Sequence, residues 1–497
     1  MALLISVLFC CIIIADFAWL LGSRKGPTLL MKILEFIYPI RDQQGRSISG
    51  PQWRWPNGHM IDKFLDGREK SKEWRAFGSV YRIWSCDIPE IAITTPEDVR
   101  AFHTDSDVHD KSASSNGGWF FHQLLGECMG LVNGTRWRRV RSKFSHAFTH
   151  RAVLDMSASI SADSCEYVRN LAVEKNKSSS TVHASQNLMR FPFFCTAQSI
   201  YGPMTQDEKD RLWSIGQQSL ALMRYVLSGG VYRFDICRLL RPEAAKELAA
   251  FREQWSSFNK EMYNLRRPLS PAPLIVSTWK QVIDGHLPEN EILQTLSEML
   301  FANLDVSSHV LTWLVTLLAE NVEVQQKLRA EIRSARTAPN TFSIDYLNAK
   351  DSLLKHCFLE SLRLRPFTVF SIPESSPSEK ILGGFRIPPN TSVVVDTLAI
   401  NVRNPFWGED SHLFKPERFS YIKSAELRYN LFAFGFGTRK CLGMHFAETM
   451  VKVFVVHLLD QYELHLPSSE QNAEEYKVGR DTWVPTANVE VVLTKIA

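Results

Sequence analysis

One cysteine stands in the run Phe434-Gly-Phe-Gly437-Thr-Arg439-Lys440-Cys441-Leu-Gly443, and an apolar stretch of helical spacing follows from residue 444. A thiol in a tight glycine-bracketed loop, beside two cations and at the start of a helix, is set up to be a thiolate. Arg439 and Lys440 favour the anion, and so do the free amides of the helix N-terminus. The other metal-ligand side chain nearby is His445, one turn on. One thiolate and one imidazole fall short of a closed tetrahedral zinc site. A lone thiolate serves instead as the single proximal ligand of a haem iron. The competing reading is a buried free cysteine in front of a helix.

The spacing Phe-x-x-Gly-x-Arg-x-Cys-x-Gly is complete at Phe434, Gly437, Arg439, Cys441 and Gly443, and it resembles the haem-binding loop of the cytochrome P-450 family. The resemblance gives each position a physical task. Cys441 is the metal ligand. Gly437 takes a positive φ so that the loop folds under the ring. Gly443 lets the next helix lie close to the porphyrin, and Phe434 keeps water from the sulfur. Amides after Cys441 hydrogen-bond the sulfur and tune the iron. Arg439 pairs with a haem propionate, since guanidinium matches carboxylate; its bland alternative is a solvated surface cation.

Three further segments match the same family. Glu360-Ser-Leu-Arg363 ends a helix that stops before Pro366, and Arg418 lies in Phe414-Lys-Pro416-Glu-Arg418-Phe419, after Asn404-Pro-Phe-Trp407-Gly408-Glu-Asp410. On spacing alone the i,i+3 pair Glu360–Arg363 is a weak surface salt bridge. The resemblance makes Glu360, Arg363 and Arg418 a buried structural triad that helps retain haem. Trp137-Arg-Arg-Val-Arg141 resembles the family's Trp-x-x-x-Arg helix, which places Trp137 and Arg141 on the propionates; a generic basic amphipathic helix is the alternative. Arg136, Arg138, Arg139, Lys143, Arg439 and Lys440 would then make a basic proximal face for an acidic flavoprotein.

The third segment, Ala302-Asn303-Leu-Asp305-Val306-Ser307-Ser-His309, interrupts a long apolar helix with polar residues. It resembles the family's distal helix, Ala/Gly-Gly-x-Asp/Glu-Thr-Thr, with two departures: Asn303 replaces Gly, and Val306 replaces the catalytic Thr. The hydroxyl that normally helps move protons is therefore missing at its usual place. Asn303, Asp305 and Ser307 are the substitute relay candidates, with Asp305 and His309 as a second i,i+4 pair; the bland reading is polar groups used in helix packing.

These residues need a helical scaffold. Of 497 residues 45% are AVILMFWYC, and no linker, repeat or low-complexity segment divides the chain. The net charge of +4 offers nothing to attract nucleic acid, and nine scattered cysteines suit a reducing compartment. Residues 1–22 hold an apolar run with one charge, Asp16, long enough to span a bilayer core of about 30 Å as an uncleaved transmembrane anchor. A cleavable signal peptide or an interfacial helix is the alternative. Arg24, Lys25 and Lys32 place the body on the cytosolic side, so the sequons at Asn133, Asn176 and Asn390 are chance matches. Residues 23–50 read as a linker and membrane-proximal segment, and 51–497 as one domain. Strands are predicted over 79–84, 90–95 and within 385–398. Helices are predicted near 96–102, 136–150, 152–174, 184–200, 207–228, 243–265, 289–335 and 351–363, with a loop and short helix over 267–284.

The resemblance covers most of the chain. It implies a mainly α fold with small β-sheets, the cytochrome P-450 fold, as a single haem domain with an N-terminal membrane anchor in the endoplasmic reticulum, single-pass and facing the cytosol. It implies haem b (iron protoporphyrin IX), electrons from NADPH through a separate flavoprotein reductase, membrane lipid as a neighbour, and oxidation of a small organic molecule as a monooxygenase. Two alternatives stay open: oxidative coupling or cyclisation without oxygen insertion, and a non-catalytic haem- or sterol-binding membrane protein. By family position the substrate pocket draws on Trp119, Phe120, Phe121, Phe301, Phe367, Phe370 and Trp483, an aromatic lining that suits an apolar or aromatic ligand; core packing explains them equally well. Residues 300–313 resemble the distal helix of fungal enzymes that tailor diketopiperazine toxins of the gliotoxin type. That implies oxidation of a Phe-containing cyclic dipeptide in mycotoxin (secondary metabolite) biosynthesis, with small aromatic metabolites and terpenoids also open.

Overall fold

The computed structural model describes residues 26–54, 56–171, 179–338, 341–467, 484 and 486–496. The expected anchor at 1–22 and the pocket residue Trp483 lie outside the described residues, as do the side chains of Ala302 and Asn303. The fold is mainly helical with small sheets, as the sequence implied. It divides into two compact units, one of residues up to Ser115 with Phe370–Asp396, the other of Asn116–Val369 with Thr397–Ala497. No change of composition marks where the chain leaves one unit for the other.

The first unit is built on a five-stranded sheet. Its strands are β1 (Val80–Ser85), β2 (Ile88–Ile93), β3 (Asp110–Lys111), β4 (Glu374–Ser375) and β5 (Ser392–Val395), in the order β1-β2-β5-β4-β3. β1 and β2 pair antiparallel from Val80↔Ile93 to Ser85↔Ile88, and Cys86, at φ 59°, makes the turn. Every residue of β1 is buried, so even Arg82 needs a partner; its guanidinium reaches Glu35 Oε1 at 2.8 Å. Helix α1 (Pro96–His103) follows β2. Thr95 caps it by accepting from the Asp98 amide at 3.2 Å, and Pro96 opens its first turn. The predicted strand within 385–398 is two strands, Phe385–Ile387 and β5, separated by a turn through Asn390 at φ 61°.

The second unit is the helical one. It contains α2 (Gly134–Phe144), α3 (Glu289–Glu320), α4 (Leu353–Leu364) and α5 (Met444–Gln461). α5 is apolar nearly all round, with Met450, Val451, Phe454, Val456 and Leu459 fully buried, and it packs on the helix His150–Leu171 at the centre of the core. α3 has 32 residues and therefore runs about 48 Å. Among the described residues it is the one helix long and apolar enough to cross a membrane, but most of it is buried inside the protein, so it is a core helix. The expected helix over 289–335 breaks at Asn321. There the backbone leaves the helical region, and the side chain turns back to the Leu317 carbonyl at 2.8 Å. A second helix, Val322–Ser334, then starts.

Candidate active site

The Cys441 loop is a set of tight turns. Gly435 and Gly437 sit at φ 75° and 60°, where a side chain would be strained, and a short 3₁₀ turn covers Gly437–Arg439. The Cys441 amide donates to the Phe434 carbonyl at 3.0 Å and closes the loop. Gly443 caps α5 at an ordinary φ of −81°, and an added Cβ would meet no protein atom within 4 Å. Neither the backbone nor the protein packing demands glycine there, so closeness to a flat prosthetic group is the remaining reason for it. Of the described cysteines, Cys441 alone is exposed. His445 lies edge-on to the His150 ring, centroids 5.2 Å apart.

Arg141 and Trp137 from outside the loop gather at it, beside the loop's own Arg439. Arg141 donates Nη2 to the Lys440 carbonyl at 3.4 Å. Burial pulls the Arg141 guanidinium below its ordinary range, while negative charge at Cys441 and Glu298 pulls the other way. Its guanidinium carbon is 6.0 Å from the Trp137 ring centre, and that of Arg439 is 4.9 Å from the same ring. Trp137 and Arg141 share a face because they are one turn apart on α2. Arg439 is buried, with Nη1 on Asn133 Oδ1 at 2.9 Å and Nη2 on the Gly130 carbonyl at 3.1 Å. The solvated-cation reading of Arg439 is therefore replaced by a clamp joining the loop to the segment before α2. From the sequence Asn133 is only a chance sequon, and nothing local marks it as the partner of Arg439.

The expected basic face is smaller than the sequence suggests. Arg136 and Arg139 both reach Glu291 on α3, at 2.8 and 3.2 Å, and Arg136 also reaches Glu127. Arg439 is buried, and Arg136 and Arg139, though about half exposed, are ion-paired, so the exposed cations of that set outside these pairs are Arg138 and Lys440, with Lys143 half-buried. An acid 150 residues away in the chain leaves no local sign that it neutralises α2.

Glu360 and Arg363 are fully buried on α4, so the weak surface pair is excluded. Arg363 grips Glu360 with two bonds, Nε–Oε2 at 2.6 Å and Nη2–Oε1 at 2.8 Å, and Arg418 Nε reaches Oε1 at 3.0 Å. The remaining donors are also satisfied. Arg363 Nη1 goes to the Asn401 and Ser411 carbonyls, and Arg418 Nη1 to the Trp407 carbonyl and Asp410 Oδ1. Asp410 makes the set neutral, two carboxylates against two guanidinium groups.

On α3, Asp305, Ser307, Ser308 and His309 are all buried, whereas Met299, Val306 and Val310 are only partly so. The open face of α3 therefore runs through Val306, and Ser307 is turned away by about 100°. His309 Nε2 meets the Arg365 carbonyl at 2.9 Å, which fixes it as a tie to the end of α4. Burial raises the Asp305 carboxyl to about 7. Several expected pocket aromatics belong to cores instead. Phe301 packs on Trp255, Phe251 and Phe193, Phe120 on Tyr225 and Tyr232, and Phe370 on Trp74 within the other unit.

An exposed thiol on a braced loop, with guanidinium groups and an indole converging on it, has the donor set of a haem-thiolate site. Residues 49–489 match the Cytochrome P450 family, and the chain belongs to that family. It is 38% identical over 489 residues to cytochrome P450 monooxygenase hasH of Aspergillus fumigatus, covering 94% of this chain and 88% of that one. It is 38% identical to monooxygenase sirC of Leptosphaeria maculans, over 96% of this chain and 94% of that one. To monooxygenase gliC of Aspergillus fumigatus it is 34% identical, over 99% and 98%. The chain is thus a monooxygenase of the fungal cytochrome P450 kind, which sets aside the non-catalytic carrier. The family implies a haem iron, an electron-donor partner and a small-molecule substrate.

Proposed function

We propose that the protein is a membrane-anchored monooxygenase that holds haem b on Cys441 and oxidises an apolar or aromatic secondary metabolite with electrons from NADPH, passed on by a separate flavoprotein reductase. The observation that carries the reading is Cys441 itself, the exposed thiol of a loop braced by Asn133, Gly130, Trp137 and Arg141. When bound, the haem supplies dioxygen activation and oxygen transfer. The chain supplies the rest. Cys441 offers the thiolate, with the amides at the start of α5 facing its charge. Trp137, Arg141 and Arg439 offer an indole N–H and two guanidinium groups to the propionates. Asp305, whose carboxyl is raised by burial to about 7, can take up or release a proton on α3 next to Val306. Arg138 and Lys440 remain exposed for an acidic reductase.

A Phe-containing diketopiperazine is the substrate class favoured by the distal-helix resemblance over residues 300–313. Placement at the endoplasmic reticulum membrane draws support from the helix Gly26–Ile37, which exposes Ile33, Phe36 and Ile37, Phe36 at 87%. The test is spectroscopic. Cys441→Ala should abolish the red-shifted Soret band of the reduced CO complex; a mutant that kept it would rule Cys441 out. Binding difference spectra with a panel of cyclic dipeptides, small aromatics and terpenoids would then decide the substrate class.

A further inference from the structure

The sheet unit holds a buried polar cluster that the reaction does not use. α1 ends at His103, a 3₁₀ turn (Ser106–Val108) follows, and His109 leads into β3. β3 pairs antiparallel with β4, with Lys111 opposite Glu374. This brings His103, His109 and Glu374 together at 4%, 3% and 7% exposure. Glu374 Oε2 lies 3.8 Å from His109 Nδ1 and 3.9 Å from His103 Nδ1, and one ligand atom from each residue falls within 4.8 Å of the others.

The tautomer of His109 makes the contact unusual. Its Nε2 faces Asp105 Oδ1 at 3.0 Å, and Asp105 is itself held by Lys380. A carboxylate there keeps the proton on Nε2, which leaves Nδ1 as a lone pair. That lone pair points toward Glu374 Oε2, and neither atom has a hydrogen-bond partner although both are buried. The 3.8 Å between them leaves room for a cation to bridge the imidazole nitrogen and the carboxylate. Ligands on a tetrahedral zinc, at about 2.0–2.1 Å from the metal, are about 3.3–3.4 Å apart. The two carboxylate–imidazole spacings therefore need to close by about half an ångström, and the two imidazole nitrogens start within 4.8 Å of each other.

We propose that His103, His109 and Glu374 form a structural site for one divalent zinc ion, which ties the end of α1 to the β3–β4 pair. Two imidazoles and a carboxylate are zinc ligands, water completes the tetrahedron, and the Asp105–His109 contact is the usual outer support of such a histidine. Lys111 is the competitor. Its ammonium lies 2.6 Å from Glu374 Oε1, and its side chain, 11% exposed, reaches the rim of the cluster, from which it can swing out.

The test uses the full-length haem-containing protein, freed of any affinity tag, stripped with a chelator and re-equilibrated with zinc chloride. Metal per chain and the thermal midpoint are read together. One zinc per chain beyond the iron, with a raised midpoint, is expected. Glu374→Gln keeps the shape of the side chain and should weaken zinc binding by about 10–100-fold with haem content unchanged. Lys111→Met should tighten it. Substoichiometric zinc in the native protein would overturn the proposal, and so would equal zinc binding in native protein and Glu374→Gln. Glu374→Gln decides the matter if His109→Ala fails to fold.

Discussion

The side chain of Asn401 clasps the main chain of Phe432 from both sides: Nδ2 donates to its carbonyl at 2.9 Å, and Oδ1 accepts from its amide at 2.7 Å. The Asn401 carbonyl in turn accepts from Arg363 Nη1 at 2.9 Å. A continuous path thus runs from Glu360 through Arg363 and Asn401 to Phe432, two residues before the carbonyl that closes the Cys441 loop. Asn401 lies in a one-turn π-helix, Ala399–Arg403, a local irregularity often found where a helix must aim a group. Asn401→Ala would leave two main-chain groups of the loop without partners, at about 1–3 kcal/mol each when buried. Reduced haem per chain and a lower thermal midpoint are expected; normal values for both would show that the clasp is dispensable.

The triad predicts a ranking. Glu360→Ala and Arg363→Ala each leave a buried charge unpaired, which costs about 3–5 kcal/mol. Arg418→Ala should cost less, because its side chain is 11% exposed and all but one of its bonds go to Asp410 and nearby carbonyls. Urea unfolding of the three variants measures the order, and haem content measures its consequence. An Arg418 variant weaker than both others would contradict the geometry.

Asp305 gives a pH signature. Its folded value, raised to about 7 by burial, exceeds the ordinary unfolded value of about 3.9. Folding therefore takes up a proton between about pH 4 and 7, and stability falls as the pH rises through that window. Above about 7 this group adds no further slope. Asp305→Asn removes the penalty, so its stability relative to native protein should be greater at pH 8 than at pH 5. Unfolding free energies at the two pH values test this; a difference independent of pH would mean that the carboxyl is ionised normally. The same substitution should flatten any inflection near pH 7 in the turnover profile.

Val306 and Ser307 exchange weights once α3 is seen. The sequence makes Ser307 the substitute hydroxyl, but its side chain is buried on an unbroken helix, while Val306 lies on the open face. Val306→Thr is expected to raise the yield of product per NADPH and lower peroxide release, because the hydroxyl lands on the accessible stripe. Ser307→Ala should leave coupling near that of native protein and lower stability by about 1 kcal/mol. Strong uncoupling in Ser307→Ala would restore Ser307 to the proton path.

Much of this protein was legible as spacing. Five positions in the Cys441 loop, the Trp137–Arg141 turn and the Glu360–Arg363 pair are short-range patterns, and short-range geometry follows from helix and turn periodicity. Some helix limits were close, since Thr205 and Glu208 cap the helix predicted over 207–228, which begins at Gln206, whereas the break at Asn321 inside the helix predicted over 289–335 was missed. What spacing could not tell was which charges are already spent. Arg136 and Arg139 look free in the chain, and only folding sets Glu291 between them. Asn133 and Asn401 carry no local pattern, because their partners lie far away in sequence. The faces of α3 were decided by its neighbours, since a helix apolar on most sides does not announce which side stays open. The His103–His109–Glu374 cluster joins residues 271 apart through one strand pair, β3 with β4. Sequence determined the chemistry at Cys441, because that chemistry needs a few residues at fixed short spacing; tertiary structure decided the electrostatics around it, because charges act through space and pair with whatever folding brings near.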